Sequence, residues 1–197
     1  MMLVEEGQIP EAVLPVDALK RHLRLGTGFG EDDLQDAVLA SFLRAALAAI
    51  EARTGKALVR RTFLLTLDAW RDPAGQSLQI APVESIVQVA LVDRTGAATI
   101  LTADRYRLQA DSQQPMLRPT GALLPTIPGG GRAEIRFDAG FAADFGGLPA
   151  DLAQAVLMLA AHYYEFRHET ALGEGCMPFG VTSLISRYRP LRAGFTG

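Results

Sequence analysis

The 197-residue sequence has little of several things that mark particular protein classes. It has one cysteine, Cys176, and arginine supplies nearly all of its positive charge. A single thiol excludes an internal disulfide and a thiolate metal cluster within one chain. No apolar run approaches the roughly 18 residues of a membrane-spanning helix. No membrane partner is therefore expected.

An excess of positive charge is also lacking. The 19 basic and 22 acidic residues give a formal net charge of −3, and the pI is about 5.6. No global basic field therefore exists to hold a nucleic acid backbone. The first eleven residues contain acidic side chains, Glu5, Glu6 and Glu11, where a secretory signal would have basic ones. This predicts a cytoplasmic product.

Apolar residues are what the sequence has in quantity. Hydrophobic residues make up 49% of the chain and charged residues 21%, with a mean hydropathy of +0.15. Such a chain forms one domain, or a domain with an insertion, and buries a sizeable core. We expect part of its apolar surface to contact other subunits or partner proteins.

The first quarter has a helical pattern. Pro15 suits the first turn of a short helix that ends near Leu25. Acidic residues at 31–33 favour the start of a long helix to about Thr54, and Gly55 predicts its end. The spacing places one face of the long helix inwards: Leu34, Val38, Ser41, Phe42, Ala45 and Ala49, extended by Ile50.

From residue 57 the period changes to the two-residue repeat of strands. Turn residues separate the alternating segments. Because no helix lies between successive strands, antiparallel pairing is expected. The predicted strands are residues 59–67, 77–80, 86–92, 98–101, 106–109, 116–118 and 133–137.

Helical ends around a β middle predict an α+β fold. We expect the N- and C-terminal helices to form a helical bundle, with an inserted antiparallel β subdomain and a C-terminal arm. The predicted boundaries are 1–56 for the N-terminal helical part, 57–147 for the β subdomain, 148–172 for the long C-terminal helix and 173–197 for the arm.

The predicted helix over residues 149–168 carries two apolar stripes, whereas a surface helix normally has one. A single neighbour cannot cover both, so two packing partners are expected. The first stripe is Leu148, Leu152, Ala155, Val156, Leu159, Tyr163 and Phe166. The second stripe is Ala153, Leu157, Ala160 and Tyr164.

Residue types that carry chemistry form no recognisable site. His162 and Glu165 lie three residues apart on one helix face, but HYYE is not the HExxH of a zinc peptidase. His22 and His168 add no local ligand cluster. The histidines therefore read as solvated or interface residues, and no metal is predicted.

Glycine, serine and cysteine patterns give no site either. The glycines at 26, 28 and 30 follow a basic helix and lack phosphate-loop spacing. Ser183 and Ser186 lack the GxSxG elbow of a hydrolase, and Cys176 has no histidine nearby in sequence. No catalytic or cofactor-binding residue is predicted.

The segment FGVTSLISRYRPLR, from Phe179 to Arg192, interleaves arginines with aromatic and aliphatic residues. It is either a solvated end or a docking segment, since aromatic and arginine side chains are typical interface anchors. We interpret it as docking onto a partner protein. Direct DNA readout is a minor alternative because the chain is acidic.

Four segments resemble, in order and spacing, the head–tail connector (adaptor) family of tailed phages. The most family-like residues are Glu51 with TGKAL at 54–58, AGF at 139–141, YEFR at 164–167 and PFGV at 178–181. Within that family the sequence most resembles the adaptors of gene transfer agent particles. The segments are LPVDALKRHLRL, EDDLQDAVLASFLRAALAAIEARTGKALVRRTFLLTLDAW, RFDAGFAADFGGLPADLAQAVLMLAAHYYEFR and MPFGVTSLISRYRP.

The resemblance implies a structural virion protein with neither enzymatic activity nor a cofactor. Subunits of that family form a closed ring, normally a dodecamer, beneath the portal protein of the capsid. A stopper or tail-completion protein binds below, and DNA passes through the lumen as cargo. The product would assemble in the host cytoplasm and then reside in the neck of the virion or phage-like particle.

The resemblance also implies roles for particular residues. The second stripe, Ala153, Leu157, Ala160 and Tyr164, would meet either the adjoining subunit or the chain's other helices. The long helix that starts near Asp33 is the other candidate for the contact with the next subunit. The arm would reach up to the portal. Its predicted portal-binding residues are Phe179, Leu184, Arg187, Tyr188, Arg189, Leu191 and Arg192.

Two alternative functions remain open at this level. One is a stopper or tail-terminator ring of the same particle, which shares the structural role but lies one level lower. The other is a cytoplasmic oligomeric enzyme with an unrecognised site.

Overall fold

The computed structural model describes residues 1–25, 32–167 and 177–190, and only the backbone of residues 32–34. The predicted α+β class, with antiparallel strands between helical flanks, is confirmed. The helices are α1 (Val16–His22), α2 (Asp32–Thr54), α3 (Ala150–Glu165) and α4 (Phe179–Ile185). The strands are β1 (Met2–Glu5), β2 (Arg61–Leu67), β3 (Gln76–Ser77), β4 (Val83–Val92), β5 (Ala98–Ile100), β6 (Tyr106–Gln109), β7 (Met116–Pro119) and β8 (Arg132–Ala139).

The chain divides into two compact units. The β unit contains residues 1–8 and 59–143, and the helical unit contains residues 9–58 and those from 144 onwards. We predicted a helical part over residues 1–56, but residues 2–5 form β1, which pairs antiparallel with β2. Four residues are too few for alternation to be read from sequence. The first eight residues therefore belong to the β unit.

Within the described residues, the strands of the β unit form two antiparallel sheets. Their orders are β1-β2-β8-β4-β5 and β3-β7-β6. Alternation along β8 turns Ala133, Ile135 and Phe137 to the core, where each has no accessible surface. Phe137 stacks on Phe63 of the neighbouring β2 with ring centroids 5.9 Å apart. One face of the larger sheet thus forms the core of the β unit.

The AGF motif after β8 has a steric reason. Gly140 has φ +147°, which disfavours any side chain, and a Cβ there would lie 2.4 Å from the backbone N and Cα of Arg60. Its N–H donates to the carbonyl of Pro82 at 3.0 Å. Only glycine allows this close approach of the chain segments.

The helical unit is built around α3, which packs against α1, α2 and α4. Its first predicted stripe faces the core over residues 152–159: Leu152, Ala155, Val156 and Leu159 have no accessible surface. The last two predicted members differ, because Tyr163 is half-buried and Phe166, which follows the end of α3, is exposed. Both chain ends therefore contribute helices to one core, although the β unit separates them in sequence.

The inward face of α2 differs from the prediction. The predicted residues Val38, Ser41 and Ala45 are exposed, and Val38 has 41% of its surface accessible. Because α2 is rich in alanine and leucine on all sides, its periodicity is weak, and the larger side chains decide which face is buried. The buried residues are Leu39, Ala40, Leu43, Ala46, Leu47, Ile50 and Thr54.

The TGKAL motif ends α2. Gly55 adopts φ +65°, and its N–H donates to the Glu51 carbonyl at 2.8 Å. This left-handed residue is the usual stop of a helix. The Glu51 carboxylate then accepts the backbone N–H of Leu58 at 2.6 Å. One acidic side chain thus fixes how the chain leaves the helix.

Leu159→Ala should lower the free energy of unfolding of the helical unit by roughly 2–5 kcal/mol, because Leu159 is fully buried and little can relax into the cavity. Val38→Ala on the exposed side of α2 is the matched control and should change it by less than about 0.5 kcal/mol. Urea unfolding followed by far-ultraviolet circular dichroism measures both. Equal effects would contradict the assigned faces.

Candidate interaction surfaces

Phe179 is the most exposed large apolar side chain among the described residues, with 86% of its surface accessible. It is the first residue of α4, directly after Pro178. Val181 and Ile185 of the same helix are fully buried. Since residues two apart lie on nearly opposite sides of a helix, packing of α4 drives Phe179 outwards.

A close approach to α3 holds α4 in place. A Cβ at Gly180 would lie 2.8 Å from the terminal methyl carbon of Met158 on α3. The position of Phe179 on the surface is thus fixed by the packing of its neighbours in α4: Gly180 lies close to Met158, and Val181 is buried.

The root of the arm is tied to the first turn of α3 by Asp151, Arg187 and Tyr188, which we call the latch. The Tyr188 hydroxyl donates to Oδ1 of Asp151 at 2.8 Å. Arg187 Nη2 lies 2.9 Å from Oδ2 of the same carboxylate. Asp151 also suits the positive end of the α3 dipole. Burial raises the pKa of the Tyr188 hydroxyl, so it stays a protonated donor at neutral pH.

The latch revises the predicted set of portal-binding residues. Arg187 and Tyr188 direct their polar groups to Asp151 in their own chain. Leu184 is half-buried, whereas Phe179 and Arg189 are exposed. Leu191 and Arg192 lie outside the described residues.

The second stripe of α3 is partly covered inside the helical unit. Ala160 has no accessible surface, so of the two predicted partners it meets the chain's own helices. Ala153, Leu157 and Tyr164 are half-buried. Tyr164 meets Phe42 of α2 edge to face at 6.1 Å. The stripe therefore contacts α2 and still leaves apolar surface outside.

Val38 and Phe42 extend this outward surface. Val38 lies one helical turn before Phe42, and the ring of Phe42 reaches Tyr164. We call Val38, Phe42 and Tyr164 the α2–α3 seam. Sequence reasoning placed both residues on the apolar face of the long helix, which was itself a candidate for the contact with the next subunit. Val38 is exposed and Phe42 is half-buried, and their spacing of four residues puts them on one side of α2.

The residues weighed for catalysis are not brought together. Nε2 of His162 is buried with no hydrogen-bond partner in the described part of the chain, and its ring lies 4.6 Å from that of Phe166. His22 is exposed. Ser186 donates its hydroxyl to the carbonyl of Ser183 at 2.8 Å. Gly26, Gly28, Gly30, His168 and Cys176 lie outside the described residues.

The described residues contain neither a cluster placed for a metal ion nor a helix suited to a membrane. Across residues 1–25, 32–167 and 177–190, no group of three or more histidine, cysteine, aspartate or glutamate residues is placed to hold a metal ion. In the same ranges, no helix combines the length and apolar character needed to cross a membrane.

Comparison with protein-family models and with curated proteins gives no match. Solved structures do match. A chain from the neck of an empty gene transfer agent particle, computed with C6 symmetry, is 52% identical with a TM-score of 0.89. A chain from the virion of a native gene transfer agent particle is also 52% identical, with a TM-score of 0.85. Each match covers 98% of this chain and 97% of the other.

A third chain, from the neck of a native particle computed with C12 symmetry, is 48% identical over the same shares, with a TM-score of 0.84. The chain belongs to the family of gene transfer agent neck proteins. The resemblance to head–tail connectors that the sequence motifs indicate is thereby confirmed. This neck protein is a structural component of a phage-like particle.

Tyr188→Phe should loosen the arm root of the neck protein, because it removes only the hydroxyl that donates to Asp151. We expect the amide of Arg189, which donates to the Ser186 carbonyl, to exchange about two- to fivefold faster, as for one partly exposed hydrogen bond. Hydrogen–deuterium exchange measures this.

Tyr163→Phe on α3 is the matched control, since its hydroxyl makes no contact with Asp151. It should leave the Arg189 amide unchanged. Equal exchange in Tyr188→Phe and the unsubstituted protein would contradict the latch.

Proposed function

We propose that this neck protein is the head–tail adaptor of a gene transfer agent particle, a ring that joins the capsid portal to the tail side. The similarity to neck chains at 48% identity or more, over 97% of their length, carries the proposal. Such similarity extends to surfaces as well as to the core, and surfaces determine what a neck protein contacts.

The proposed ring is a dodecamer. One matching chain comes from a neck computed with C12 symmetry and another from a neck computed with C6 symmetry. Both fit a twelve-membered ring, because a twelve-fold axis contains a six-fold axis. A closed ring of identical subunits needs head-to-tail contacts between two different surfaces of each chain. The α2–α3 seam, with Ala153 and Leu157, is a candidate for one of them.

The arm is the proposed portal contact. Phe179 combines an apolar ring with almost complete exposure, which is costly on a free surface but typical of an interface anchor. Arg189 is exposed and follows the latch. The latch holds this end of the chain against α3, so both side chains are presented from a fixed base. Leu184 would add apolar area at the rim.

Net charge fits a DNA conduit. Each copy carries a formal charge of −3, so a ring of copies has no overall attraction for phosphates. DNA can then slide through the lumen as cargo. A stopper or tail-completion protein would close the ring from below, and assembly would take place in the host cytoplasm before the chain becomes part of the particle.

A stopper or tail-terminator ring is the competing assignment within the same particle. It predicts no affinity for portal rings and contacts only on the tail side. The enzyme alternative loses support from the neck family, whose matching chains are particle components.

Phe179→Asp should weaken binding to purified portal rings by roughly 30-fold or more, the loss typical of an interface hot spot. A charge at a buried apolar contact has no partner there. Sedimentation of labelled neck protein with portal rings gives the affinity.

Val87→Asp is the matched control, because Val87 is also an exposed apolar residue, with 51% of its surface accessible, but lies on β4. It should bind portal like the unsubstituted chain. If the unsubstituted chain shows no affinity for portal rings, the adaptor assignment is wrong and the stopper assignment gains.

A further inference from the structure

The five-stranded sheet of the β unit ends at two open edges, β1 and β5. Exposed apolar side chains lie on both. Met2 and Val4 on β1 have 57% and 40% of their surface accessible, and Ile100 on β5 has 61%. An edge strand with apolar side chains is a template for pairing unless something covers it.

The two apolar patches lie on the same face of the sheet. The register joins Met2 to Thr66, Thr66 to Glu134, Glu134 to Ala90 and Ala90 to Ile100. Residues directly opposite one another on paired strands point to the same side. Met2 and Ile100 are therefore the two ends of one row that crosses the whole sheet.

Between the two edges, polar side chains of the sheet form ion pairs and hydrogen bonds with one another. Arg136 pairs with Glu6 at 2.8 Å, and Arg132 pairs with Glu134 at 2.7 Å. Thr62 donates its hydroxyl to Asp138 at 2.7 Å. Apart from Val87 on β4, the exposed large apolar side chains on the strands of this sheet lie on its two edges.

The edges carry opposite charges at the same end of the sheet. Asp68 follows β2 beside β1, and its side chain is 83% exposed, with the Met1 ammonium 3.7 Å away. Arg94 lies in the turn between β4 and β5 and is exposed. Within the described ranges, no carboxylate pairs with Arg94. Each edge thus has an apolar patch flanked by one weakly engaged charge, acidic beside β1 and basic beside β5.

We propose that in the ring the β1 edge of one copy docks against the β5 edge of the next copy, with Met2 and Val4 against Ile100 and Asp68 towards Arg94. The proposal rests on the ring assembly described under the proposed function. A closed ring needs two different complementary surfaces on each subunit, and the two opposite edges of this sheet meet that requirement in hydrophobicity and charge.

Strand direction agrees with a rotational contact. The five strands alternate in direction, so the two edge strands β1 and β5 run the same way. Rotation about an axis along the strands keeps that direction and sets β5 of one copy parallel to β1 of the next. A two-fold dimer would instead pair identical edges and bring like charges to the same contact.

Cysteine cross-linking tests the contact directly. Met2→Cys and Ile100→Cys are combined in one chain that also carries Cys176→Ser, and rings are assembled on portal and mildly oxidised. We expect a ladder of disulfide-linked multimers up to the full ring on a non-reducing gel. Each single cysteine variant should stay monomeric, because identical edges do not meet.

Swapping the charges of Asp68 and Arg94 tests the same contact without depending on the formation of a disulfide. Asp68→Arg alone and Arg94→Asp alone should each reduce ring occupancy on portal by roughly two- to fivefold, as for exposed ion pairs, and the double variant should recover it. Arg107→Asp is the control, because Arg107 is an exposed arginine on β6 of the other sheet.

The outcomes separate this inference from the adaptor assignment. Complete rings on portal with no cross-linked ladder, and with a double charge variant no better than the singles, would overturn the edge contact alone. Failure of the unsubstituted chain to form rings would overturn the adaptor assignment and the edge contact together.

Discussion

Burial of α3 is the constraint on which the helical unit depends. Leu152, Val156 and Leu159 have no accessible surface, and each fully buried side chain of this size contributes about 1.5–3 kcal/mol. Their sum is comparable to the whole stability of an ordinary domain. Because α1 and α2 precede residues 59–143 of the β unit and α3 and α4 follow them, this one core joins segments that are distant in sequence.

The surfaces proposed for assembly are Phe179, the α2–α3 seam and the sheet edges β1 and β5. At each of them the fold leaves apolar side chains exposed to solvent. The position of Phe179 follows from the burial of Val181 and Ile185 on the other side of α4. The α2–α3 seam lies at the surface because α2 buries its leucine-rich face in the core, which leaves Val38 exposed. Single exposed apolar side chains also occur on monomeric proteins, but a neck component has neighbours that can cover them.

The sequence predicts elements with strong or long patterns and fails where the pattern is weak or the partner is distant. The strand at residues 106–109 and the first stripe of α3 lie where predicted. The short strand β1 was missed because it is recognisable only through its pairing with β2. The outward position of Val38 could not be predicted because α2 is apolar on all sides, and only packing against the other helices decides which face is buried. The contact of Tyr188 with Asp151 joins residues 37 apart in sequence, which no local pattern encodes.

The most direct test of the adaptor account is the mass of portal rings before and after incubation with excess neck protein, by native mass spectrometry. The account predicts a single new species, heavier by one complete ring of 21.2 kDa subunits, with twelve copies bound and no partly filled intermediates at saturation. An unchanged portal mass, or an open-ended series of added subunits, would contradict it.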